Sequence, residues 1–193
     1  ALTTTQINVL SSTQVDSLST AQLGGLDTTQ IGFLSSTQCR GLSSTALNAL
    51  STAQINGVTP VQLSKLADTQ LDGLSSTQIA VMTTAQWGGL SSAQLYGLTT
   101  TQLAGLNSVQ VDALTTTQML GLTSVMLAAF TTTQVDGLRA TQIVALTTTQ
   151  LSGLSSAQID SLTSTQLSGF SSTQVGALTT TQVSGFNSDL VAA

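Results

Sequence analysis

The side chains able to do chemistry are few and far apart. There are eight acidic residues, all aspartate, three basic residues (Arg40, Lys65 and Arg139), one cysteine and no histidine. General acid–base catalysis needs titratable groups held together so that neighbours and burial tune them. Asp16, Asp72, Asp112, Asp136 and Asp160 are spread along the chain, and Asp68 and Asp72 form the one close pair. A calcium site needs several oxygens converging on one point, and this spacing supplies none. Serine is abundant, but a hydroxyl without a neighbouring base is a poor nucleophile. Cys39 stands where every other repeat has an apolar residue, which predicts a buried, inert thiol. No glycine-rich phosphate loop or metal-ligand spacing occurs. No catalytic, cofactor-binding or metal-binding residue is therefore expected, no cofactor is implied, and the chain reads as not an enzyme.

The rest of the sequence is an octad written 24 times, from "LTTTQINV" at Leu2 onward. Position one is apolar in all 24 copies, from Leu2 to Phe186, and so is position six, from Ile7 to Val191. Position five is Gln in 21 copies, the exceptions being Ala46, Met126 and Leu190. Position two is Ser, Thr, Asp or Asn in 22 copies, the exceptions being Ala67 and Arg139. A second rhythm runs through position eight. Odd octads read Gly from Gly25 to Gly185, with Val9 in the first, whereas even octads carry Ser17, Phe33, Ala49, Lys65 and other side chains. Repetition of this kind is the mark of a solenoid.

Eight residues at helical pitch rotate the apolar pair by about 80° per octad, so one long amphipathic helix is excluded. A short helix per octad fits. A hydroxyl or amide cap at position two with Gln three residues later is a capping box, and positions one and six are the matching hydrophobic-staple pair. Pro60 follows Thr59 and falls at the first helical position, where proline is favoured. Gly at position eight suits a left-handed residue closing the helix. The expected fold is thus all-α: a solenoid of short helices of five or six residues, with two octads (16 residues) per turn and about 12 turns over residues 1–193. Residues 187–193, where the octad departs at Asp189 and Leu190, are the candidate C-terminal cap. The alternative is a β-solenoid, since Thr, Val and Ile are strand formers. The Gln column is expected to serve capping and backbone groups left open at the turns, or to bond amide to amide, in a half-buried position. Trp87 and Cys39 belong to the core, and Tyr96 and Phe33 to the surface.

The net charge of −5 leaves no basic stripe for a phosphate backbone, so nucleic acid is not an expected partner. Ser, Thr and Gln interrupt every octad, so no apolar run long enough for membrane insertion occurs. Two roles fit a charge-poor hydroxyl array. One is structural: a rod, stalk or filament module that self-associates end to end or continues in a longer parent chain. The other is an ice-binding surface built from regular Thr and Ser rows.

The copies "LTTTQL", "LSSTQV" and the "LTTAQ"-like variants, covering Leu2 to Gly185, resemble octad repeat tracts of large secreted or cell-surface bacterial proteins. That resemblance implies an extracellular or cell-surface, non-enzymatic array with adhesive or filament-forming roles. It implies nothing for Thr59–Lys65 and Thr123–Phe130, where this sequence departs from the pattern.

Overall fold

The computed structural model describes residues 2–186; the candidate cap at 187–193 lies outside the described residues. The described residues contain 23 short helices and no strand, so the all-α fold stands and the β-solenoid is set aside. The chain divides into two compact units. The first, Ala1–Leu98, holds α1 (Thr4–Asn8), α2 (Ser12–Asp16), α3 (Thr20–Gly24), α4 (Thr28–Phe33), α5 (Ser36–Cys39) and α6 (Ser44–Ala49). It continues with α7 (Thr52–Gly57), α8 (Pro60–Leu63), α9 (Asp68–Leu71), α10 (Ser76–Val81), α11 (Thr84–Gly88) and α12 (Ser92–Gly97). The second, Thr99–Ala193, holds α13 (Thr100–Leu103), α14 (Ser108–Asp112), α15 (Thr116–Met119), α16 (Ser124–Ala128), α17 (Thr132–Asp136) and α18 (Ala140–Ala145). Its remaining helices are α19 (Thr148–Leu151), α20 (Ser156–Asp160), α21 (Ser164–Leu167), α22 (Ser172–Gly176) and α23 (Thr180–Val183).

Helices of four to six residues are far too short to be stable alone. Each except α9 and α18 is started by its own side-chain cap. In α1 the Gln6 amide N–H donates to Thr3 Oγ1 at 3.2 Å, and the Thr3 amide N–H donates to Gln6 Oε1 at 2.9 Å. The same reciprocal pair recurs through the array. Asp27 and Asn107 supply the cap oxygen as expected, and Pro60 opens α8. After each helix the position-one residue donates its amide N–H to the carbonyl of position six, as Leu34 does to Ile31 at 3.2 Å. Positions one and six together form the core, with Trp87 and Val111 fully buried among them.

The number of octads per turn differs from expectation. Within each unit a helix packs on the helix three before it, as in the runs α1–α4–α7–α10 and α14–α17–α20–α23. Hydrogen bonds between layers reach back 28 and 31 residues, so a layer takes between three and four octads and not the expected two. The 16-residue rhythm of the sequence marks parity rather than a turn. Because three is odd, successive helices of a packed run alternate between the glycine and non-glycine octads.

The glycines also act differently from expectation. No described glycine has a positive φ; Gly89, closing α11, sits at φ −78° and ψ −18° in the ordinary right-handed region. Its reason is proximity. A Cβ built on Gly89 would lie 2.6 Å from the carbonyl oxygen of Pro60, and one on Gly137 2.6 Å from that of Ser108. At Gly41, Gly57, Gly73, Gly153 and Gly185 a Cβ would sit closer still to the equivalent carbonyl, 29 residues earlier.

The two missing caps predict a simple gain. Ala67 cannot accept from Gln70, whose amide N–H turns instead to the Ala67 carbonyl at 3.0 Å. Restoring the hydroxyl with Ala67→Ser should stabilise the protein by about 1 kcal/mol. Thermal melts should then shift upward by roughly 2–4 °C, the scale for a chain of this size.

Candidate functional site

The one constellation repeated throughout the described residues is the glutamine ladder. Gln54 illustrates it. Its Oε1 accepts from the Ser51 amide at 2.9 Å, and its Nε2 donates to the carbonyls of Leu23 at 2.8 Å and Leu26 at 2.7 Å. Those acceptors are the position-six and position-one carbonyls on either side of a turn one layer back. The position-six carbonyl has two lone pairs; one takes the local amide and the other takes the glutamine. In Ile7 these donors are Leu10 N at 3.1 Å and Gln38 Nε2 at 2.7 Å. Gln86, Gln134, Gln158 and Gln182 repeat the arrangement.

Each such glutamine is a two-way connector, capping its own helix with the oxygen and holding the previous layer with the nitrogen. It bonds to turn carbonyls, one of the two expected options, and not to neighbouring amides. The column is also fully buried rather than half-buried: from Gln30 onward every described position-five Gln is at most 8 % exposed. Sequence reasoning recognised the capping half because it is local. The second half depends on a neighbour 28 to 31 residues away, which no residue type announces.

Where the column breaks, the local chemistry adapts. Ala46 keeps the cap bond to Ser43 Oγ at 3.1 Å but brings no carboxamide. Met126 is buried, and its Sδ lies 3.3 Å from the Thr123 amide nitrogen.

The candidate chemical groups remain scattered. Asp68 opens α9 and Asp72 closes it, both exposed. Asp16, Asp136 and Asp160 are exposed, and Asp112 is half-exposed. The structure does bring together one set the sequence did not suggest. Arg139 Nε lies 3.2 Å from Asp112 Oδ1, its Nη2 donates to the Leu114 carbonyl at 3.3 Å, and Asp136 lines the same open groove of about 490 Å³. Both partners of the ion pair are about half exposed, so water screens it and it contributes at most about 1 kcal/mol. Arg139 replaces a cap hydroxyl, and its guanidinium ties α18 to the turn after α14. Among the described residues no three His, Cys, Asp or Glu side chains gather as a metal site would require, and no described helix is long and apolar enough to cross a membrane.

Cys39 is 4 % exposed, and burial pushes its thiol up to about 11. Its reaction with an aromatic disulfide reagent at neutral pH should be absent in the native protein and complete in denaturant. Because burial raises the folded value above the unfolded one, the thiol's contribution to stability is whole below about pH 9. It is lost as the pH climbs toward 11. Trp87 is fully buried, while Tyr96 and Phe33 are exposed, all as expected.

Position four is exposed in each described octad. It is occupied there by Thr, Ala or Val, as in Thr117, Thr141 and Thr165, which succeed one another along α15, α18 and α21. No curated protein is similar enough to this chain to match it. Two stretches of the octad array, residues 89–124 and 144–180, match the family model described as the ALTTAQ repeat.

Proposed function

We propose that this chain is a non-enzymatic structural module: an extracellular or cell-surface rod or stalk that spaces other components. Its repeats join further repeats of the same kind, in a longer chain or in a second copy. One observation carries this reading: the glutamine ladder uses both N–H donors of a buried side chain to hold each layer to the one before, while its oxygen caps its own helix. Adding layers then adds length without needing a new core, the property of a solenoid used as a spacer. The test is deletion of internal octads in sixes, which preserves glycine parity, followed by small-angle scattering. A spacer shortens in proportion to the octads removed while its circular dichroism per residue stays constant. A particle whose maximum dimension does not follow octad number would overturn the reading.

A second reading is favoured by the exposed position-four row. Threonine presents a methyl and a hydroxyl together, and regular rows of such groups could order water as ice does. Alanine and valine interrupt the row, as at Ala157 and Val125, and keep only the apolar part. Thermal hysteresis measured at high protein concentration decides this; its absence removes the ice-binding role.

A further inference from the structure

Three side chains in the sequence are basic, and two of them sit together. Arg40 closes α5 at position seven, and Lys65 follows α8 at position eight. These are positions that meet across a layer, as Asn48 Nδ2 meets the Gly73 carbonyl at 2.8 Å. Both cations are exposed, and α5 packs on α8. Among the described residues neither makes an ion pair, and Asp16, one layer earlier on α2, does not close on Arg40. Val61 stands with them on α8, 63 % exposed and one helical turn before Lys65.

The second unit carries the complement at corresponding positions. Val109 is 65 % exposed on α14, and with Asp112 and Asp136 it lines one open groove of about 410 Å³. Asp112 and Asp136 hold position seven of α14 and α17, helices that pack on each other as α5 and α8 do. Asp112 is joined to Arg139, whereas Asp136 makes no ion pair among the described residues. One unit presents a valine beside two cations, and the other a valine beside two carboxylates. Opposite charges arranged around an apolar centre fix partner and register, so a second copy of this chain is the complementary occupant. When it approaches antiparallel, α8 faces α14 and α5 faces α17. Val61 then meets Val109, Arg40 meets Asp136, and Lys65 meets the groove edge at Asp112. A parallel approach that seats Val61 on Val109 carries Arg40 away from Asp136.

We propose that the α5–α8 face of one copy docks antiparallel on the α14–α17 groove of a second, joining chains side by side. Exposed ion pairs are weak and screened by salt, so the association is of low affinity. The same register sets Asp16 against Asp160 at its edge, a like-charge contact that limits it further. Sedimentation equilibrium of the full chain, from micromolar to millimolar concentration, should show self-association in low salt that is lost in molar salt. Arg40→Asp and Asp136→Arg should each weaken it about tenfold, and the two together should restore it to the wild-type level. Asp16→Lys should tighten it. All three sites are exposed, so the circular dichroism spectrum should not change. Four results would each overturn the proposal: a wild type monomeric throughout, association unmoved by salt, association indifferent to the single variants, or a charge swap that fails to restore it.

Discussion

Replacing Gln54 by glutamate is expected to remove most of the protein's stability at neutral pH and much less of it in acid. The carboxamide donates two N–H groups to the carbonyls of Leu23 and Leu26 at 2.8 and 2.7 Å, in a site only 4 % exposed. A carboxylate donates nothing and sets its negative oxygens against two carbonyl oxygens. The cost combines the Leu26 carbonyl left unsatisfied, the Leu23 carbonyl reduced to its local amide, and a charge taken out of water, on the order of 5 kcal/mol at pH 7. A protonated acid keeps one donor and recovers part of this. Burial raises the folded carboxyl pKa above its unfolded value of about 4.3. Stability is therefore greatest below about pH 4.3 and falls as pH rises toward the folded value. Urea melts between pH 3.5 and 8 check the sign. Gln54→Leu supplies the control: about 3 kcal/mol lost from its missing hydrogen bonds, with no added pH dependence. A Gln54→Glu protein equally stable at both ends of that range would mean that the ladder does not hold layers together.

The second large effect separates two adjacent glycines. Gly89→Ala should cost about 3 kcal/mol, because the new Cβ would lie 2.6 Å from the Pro60 carbonyl oxygen and 2.9 Å from its Cα. These are backbone atoms, so relief requires two helices to move apart. Gly88→Ala, one residue earlier, meets nothing within 4 Å and lies in α11. There alanine's better helix propensity should stabilise the protein by about 0.5–1 kcal/mol. Chemical denaturation of the two variants should give shifts of opposite sign. Equal shifts would show that conformation, and not proximity, accounts for the glycine at the odd corners.

These contrasts mark how far the sequence could be read. The start, phase and approximate length of each helix were legible because a cap and its glutamine are three residues apart. Thr59–Pro60 and Asp27 state their positions by residue type alone. Burial at Trp87 and Cys39 followed from their place at position six. The closure of the layer was not legible. Its partners are separated by 28 to 31 residues, and the visible 16-residue rhythm points to a turn of the wrong size. Gly89 was misread for a related reason. Glycine answers equally to a left-handed backbone and to a neighbour too close for a Cβ, and only the neighbour tells them apart. The groove at Asp112, Asp136 and Arg139 is a product of the same long-range spacing.

The ladder has a direction. In each layer-to-layer bond described above the glutamine reaches to carbonyls earlier in the chain, as Gln54 does to Leu23 and Leu26. A polypeptide leaves the ribosome amino end first, so each new octad meets a platform already built and can lock onto it at once. Trimming has no such direction: loss of octads from the carboxyl end uncovers carbonyls, loss from the amino end uncovers glutamine donors like those of the exposed Gln6, Gln14 and Gln22, and water solvates both. The ladder is thus built to grow from one end.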